Sequence, residues 1–248
     1  MEVAVLLGDL AVALPPWAVA VVLLLPVLDF LHSLTPWSRR LWTDFDHRAW
    51  SRFWSVTTTI RWTQAGVAVA VLALADVPLA AVGVRLPSPA VTMVSVAAAV
   101  GITAWYVYAA ATEPSIPVAD APTDFTTTYP ADRRERALWF VSGGVTAGVC
   151  EEFVYRGVAL GALLGLGVPW PVAVLGAAVA FAATHGLAVL NPVALAFYVA
   201  FALVMTAVVA LSGSLLPAVV LHGAVNLWEV IGSFRDDDLP PDADTAAA

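Results

Sequence analysis

Seven apolar windows dominate the chain, near residues 10–28, 63–82, 90–111, 138–164, 171–190, 193–211 and 214–232. An α-helix needs about 17–25 apolar residues to carry the backbone through hydrocarbon, and windows of this length predict crossing helices. The expected fold is therefore all-α: a polytopic transmembrane helix bundle of about seven spans, with six to eight as the range. Composition agrees. The 248 residues are 60% hydrophobic and 12% charged, with mean hydropathy +0.85, outside the range of a soluble domain. The first window is preceded by Glu2 and Asp9, has no basic residue, and includes Pro15, Pro16 and Pro26, so an uncleaved helix is expected there instead of a signal peptide.

The loops set an orientation. Arg39, Arg40, Arg48, Arg52 and Arg61 lie between the first two windows, Arg85 between the next two, and Arg133, Arg134 and Arg136 before the fourth. That alternation places the first and third of these loops in the cytoplasm, and the C-terminus with them. Trp37, Trp42, Trp50, Trp54 and Trp62 interleave with the first set of arginines, which suits an interfacial helix at the headgroups, and membrane lipid is an expected partner. Nucleic acid, the other partner of basic-plus-aromatic segments, is not expected beside a membrane span. Four prolines between Glu113 and Pro130 mark a linker. The domain layout is thus 1–112, N-terminal helices with the interfacial segment; 113–137, linker; 138–232, a four-helix core; and 233–248, an acidic tail expected to be disordered.

All 11 basic residues are arginine, Asp outnumbers Glu, and the net charge is -8, which points to a GC-rich, salt-adapted prokaryotic source and its cell membrane. The single cysteine, Cys150, excludes an intrachain disulfide and is expected to be a small buried hydrophobe.

Against this apolar background, "GVCEEFVYRG" from Gly148 places Glu151, Glu152 and Arg156 within six residues. Each charge near a bilayer centre costs roughly 2.5–3.5 kcal/mol on insertion scales, so the group must face the bundle or a water-filled cavity. Two further clusters follow: His185 in "FAATHG", then His222 and Asn226 in "LHGAVN". Glu152 and Arg156 are i and i+4 and can neutralise each other, whereas Glu151 points about 100° away and lacks that partner. Such a carboxylate suits a general base. His222 and Asn226, also i and i+4, can present two N–H donors to one developing oxyanion. His185 is placed to share a water with Glu151, giving a hydrolytic site without a nucleophilic side chain. Each of these residues alone is equally compatible with interhelical hydrogen bonding. Glu229, one further turn along beside Trp228, reads as interfacial.

Together "EEFVYRG", "FAATH" and "HGAVN", in that order on successive membrane helices, resemble the CPBP family of intramembrane proteases, the metalloprotease-like or glutamic-protease family that includes CAAX prenyl endopeptidases and bacteriocin-processing and immunity proteins. The resemblance covers roughly 138–232. It implies a glutamate-dependent membrane endopeptidase opening to the cytoplasm, acting near the membrane-proximal C-terminus of a protein or peptide substrate, with or without a lipid modification, and needing no cofactor. Glu151 and His185 would activate water, His222 and Asn226 would form the oxyanion hole, and Glu152 and Arg156 would support them. A non-catalytic immunity or scaffold protein is the main alternative. A zinc protease is less favoured, because H-E-x-x-H is lacking and Arg156 accounts for Glu152. An ion-coupled transporter is also less favoured, because the polar residues form one cluster and not a path.

Overall fold

The computed structural model describes residues 10–36, 38–39, 47–112, 130 and 132–232. Seven helices follow: α1 Pro16–Ser33, α2 His47–Leu74, α3 Pro89–Thr112, α4 Arg133–Gly165, α5 Trp170–Ala183, α6 Pro192–Ser212 and α7 Leu216–Gly232. Among the described residues there is no strand. Each apolar window overlaps one of these helices, with windows 63–82 and 171–190 running on into the short 3-10 segments Leu79–Val82 and Gly186–Leu190, and the all-α membrane bundle is the observed architecture. α1, α3, α4 and α6 are long and apolar enough to cross a bilayer, while α5 and α7 are shorter apolar helices.

Local chemistry sets the ends. Pro16, Pro171 and Pro192 open α1, α5 and α6, where a missing N–H costs nothing because the first turn's donors are unpaired anyway. The Asn191 side chain accepts from the Val193 and Ala194 amides at the start of α6, and the left-handed Gly213 (φ 64°) stops it. In α4 the central residues, Phe140–Ala159, take the wider i→i+5 hydrogen-bond register, a rare geometry associated with functional segments.

Two boundaries differ from expectation. The linker was expected to run to residue 137, yet α4 already begins at Arg133, where Asp132 caps it by accepting from the Glu135 amide. The expected interfacial segment and second span are one continuous helix: α2 carries Trp50, Trp54 and Trp62 together with Arg61, which sits near its middle. Trp37, Trp42, most of the linker, the C-terminal tail and the Glu229 side chain lie outside the described residues.

α4 is the axis of the bundle. The GxxxG pair Gly144 and Gly148 meets Gly223 of α7 so closely that a Cβ on Gly148 would lie 2.9 Å from the Val219 carbonyl oxygen, and one on Gly223 would lie 2.8 Å from the Gly144 oxygen. Small residues let membrane helices approach backbone to backbone, and this contact places α7 against the glutamate-bearing turn of α4. On α2, Thr57, Arg61, Gln64, Ala65, Ala68, Val71 and Leu72 form a buried stripe at helical spacing. Beneath the polar centre lies an apolar core that includes Val22, Leu72, Phe153, Val158, Phe181, Met205 and Ala218, with Cys150 a free, buried member of it.

Candidate active site

A cavity of about 370 Å³ opens where α1, α3, α5 and α7 end and α2, α4 and α6 begin. The lining includes Glu151, His185, His222 and Asn226, which the sequence placed in three separate motifs. Glu152 and Arg156 do not line it.

Glu151 and Glu152 are both buried on α4, at 3% and 0% exposure. Glu152 pairs with Arg156 at 3.2 Å, as the i, i+4 spacing requires. The Arg156 guanidinium also stacks over the Phe181 ring, 4.2 Å from its centroid. Glu152 has a second partner that helical spacing could not reveal: its Oε1 lies 2.7 Å from His222 Nδ1 on α7. An ionised carboxylate only accepts, so Nδ1–H donates and fixes the ring. The opposite nitrogen, His222 Nε2, then points toward Glu151, 3.7 Å from Oε2.

The other two, Asn226 and His185, are held largely by further residues of the cavity wall. Asn226 Nδ2 donates one hydrogen to the Gly143 carbonyl at 2.8 Å, leaving its second N–H available. The Trp139 indole donates to the Asn226 carbonyl at 3.1 Å and anchors that turn. His185, just beyond α5, is partly exposed to the cavity and stacks on Tyr198 with ring centroids 3.7 Å apart. Its Nδ1 lies 3.3 Å from the Phe181 carbonyl, so Nδ1–H donates and Nε2 keeps its lone pair in the neutral ring. His185 and Glu151 line the same cavity.

Glu151, which does not pair with Arg156, has a cationic partner that the sequence did not single out: Arg61 of α2 forms an ion pair with its Oε1. The sequence assigned Arg61 to a loop because the apolar window starts at residue 63. The usable signal was the spacing of Thr57, Arg61 and Gln64, which share one face of α2 just ahead of its apolar half. Asp29 of α1 was missed for a similar reason, since it closes its apolar window. It is 5% exposed, accepts from the Tyr155 hydroxyl at 3.4 Å, and lines the same cavity. Among the described residues no three His, Cys, Asp or Glu side chains are grouped to hold a metal ion.

Residues 133–228 match the family model described as type II CAAX prenyl endopeptidase, Rce1-like. No curated protein and no solved structure matches the chain. The match begins at the first residue of α4 and ends in the last turn of α7, so it contains all four cavity residues first singled out and excludes Asp29 and Arg61. Residues 133–228 are thus similar to a family of CAAX-type prenyl endopeptidases, and with its long apolar helices the chain is an integral membrane protein.

Proposed function

We propose that the chain is an intramembrane endopeptidase that hydrolyses a peptide bond near the membrane-proximal C-terminus of its substrate. The observation that carries this reading is the convergence of Glu151, His185, His222 and Asn226 on one cavity. In the proposed reaction a water held by Glu151 and the His185 Nε2 lone pair loses a proton to Glu151, and the resulting hydroxide attacks the peptide carbonyl. The oxyanion is met by the free Asn226 N–H and, in the imidazolium form, by His222 Nε2–H. As the C–N bond breaks, Glu151 passes its proton to the departing amine and returns to the carboxylate. Glu152 holds the His222 ring throughout, and Arg156 balances Glu152. The Rce1-like match supports a CAAX-type substrate class, and the first probe is a farnesylated peptide with a CAAX-type C-terminus.

The cavity end of the bundle carries Arg39, Arg48 and Arg52 and the arginines at the start of α4, while Arg85 lies beyond the far end of α2. That distribution favours a cytoplasmic opening and a cytoplasmic C-terminus.

The test is cleavage of the farnesylated peptide by purified protein in detergent. Glu151→Gln and His222→Ala are each expected to lower turnover by about 10²-fold or more. Wild-type rates in both variants would sink the proposal. Dialysis against a chelator is expected to leave turnover intact, and loss restored by zinc would favour a metal-dependent reaction. The alternative, a non-catalytic scaffold or immunity protein, predicts that Glu151→Gln preserves the cellular phenotype.

A further inference from the structure

We infer that Arg61, backed by Asp29, is a positioning residue for Glu151, so that the Rce1-like segment depends on α1 and α2 for the geometry of its base. This rests on the hydrolytic role proposed for Glu151. Arg61 and Asp29 both lie outside the matched residues 133–228.

The first support is how the two oxygens of Glu151 are divided. Oε1 pairs with the Arg61 guanidinium, and Oε2 faces His222 Nε2 at 3.7 Å. With each oxygen assigned a different partner on a different helix, the carboxylate has one rotational setting. An acid facing only the cavity would have several.

The second is charge. Glu151, Glu152 and Asp29 are three buried acids around one polar centre, and Arg156 pairs with Glu152. A buried carboxylate whose partner is removed costs several kcal/mol in typical cases, so Glu151 needs a cation of its own to remain ionised, the form that accepts a proton from water. Arg61 supplies it. The groups then run in alternation from α1 to α4: Asp29, Arg61, Glu151, His222, Glu152, Arg156.

The third is that Arg61 is itself held. It is 7% exposed, and Asp29 and Glu151 act on it electrostatically from two different helices. Tyr155 of α4 donates to Asp29, closing the group on its other side. Near Arg61 on α2, Gln64 Nε2 donates to the Leu25 carbonyl of α1 at 2.8 Å, tying the two helices next to the ion pair. An arginine recruited only for solubility would show none of this restraint.

Two measurements on the full chain test the inference. The first needs no substrate: melting temperatures of wild type, Arg61→Met, Glu151→Gln and the double variant. Arg61→Met strands the glutamate, so the double variant is expected to melt above Arg61→Met; strictly additive shifts would overturn the pairing. The second uses the farnesylated peptide. Arg61→Met is expected to lower kcat by about 10²-fold, the scale of a misplaced reacting group, with KM little changed, and Arg61→Lys to recover part of the loss. Asp29→Asn, closer in shape, is expected to lower kcat less and serves if Arg61→Met does not fold. Wild-type kcat in Arg61→Met beside an inactive Glu151→Gln would overturn the inference alone. A rise in KM without Lys rescue would do the same, by showing a role in cavity shape only. A fully active Glu151→Gln would instead remove the hydrolytic role on which the inference stands.

Discussion

The two halves of the chain enter the bundle in different ways. α4 to α7 carry the Rce1-like match, and α4 is the most enclosed span, with 61% of its apolar window buried, against 6% for α3. α1 and α2 fall between these extremes: much of each faces outward, yet one stripe of each presses Asp29, Arg61 and Gln64 into the polar centre. Membership in the family-matched segment and membership in the polar centre are therefore separate properties. A segment can hold every residue of a motif and still receive the partner of its principal acid from elsewhere in the chain.

The largest effect is expected at the most enclosed point of the bundle. Glu152→Gln removes the partner of both Arg156 and His222 in the dry centre of α4, and breaking a buried pair from one side costs about 3–5 kcal/mol. Denaturant titration in mixed micelles checks it; a loss under 1 kcal/mol would mean, on the scale just cited, that the matched half is not the rigid one. Next comes the α4–α7 contact. Gly148→Ala sets a methyl against the Val219 oxygen and is expected to cost about 1–3 kcal/mol, with turnover falling as His222 withdraws from the glutamates.

A smaller effect probes the join between the halves. Gln64→Leu deletes the bond to the Leu25 carbonyl, and a melting curve is expected to show a loss of about 1 kcal/mol. A drop in turnover without a drop in stability would sharpen the case that α2 serves the site. The smallest effect is expected on α3, where Met93 is 67% exposed. Met93→Ala should change stability by less than about 0.5 kcal/mol by the same measurement.

Much of this was legible beforehand, for identifiable reasons. A buried charge in a membrane helix is rare because it is costly, so Glu151, Glu152, His185, His222 and Asn226 stood out against their neighbours, and the cavity brings four of the five together. The Glu152–Arg156 pair followed from spacing within one helix. Contacts between helices were a different matter. Nothing in "LHGAVN" states that His222 reaches Glu152, because the close approach depends on Gly148 and Gly223 meeting across 75 residues of sequence. Arg61 was hidden by averaging: a hydropathy window dilutes a single buried cation at its edge into the basic loop beside it. Counting polar residues by helical face, instead of by window, would have recovered Thr57, Arg61 and Gln64 as one set.

The glycine crossing of α4 and α7 has a consequence for the lipid around the protein. When a bilayer thins or thickens, helices adjust mainly by tilting, and two rods pinned at one point tilt about that point. Gly148 and Gly223 are such a pivot, and they adjoin Glu151 and His222 in sequence. Displacement grows with distance from a pivot, so the helix ends absorb the change and the carboxylate and imidazole move least. Turnover in vesicles of short-chain and long-chain lipids should accordingly vary less than melting temperature does; a rate that tracks thickness more steeply than stability would place the pivot elsewhere.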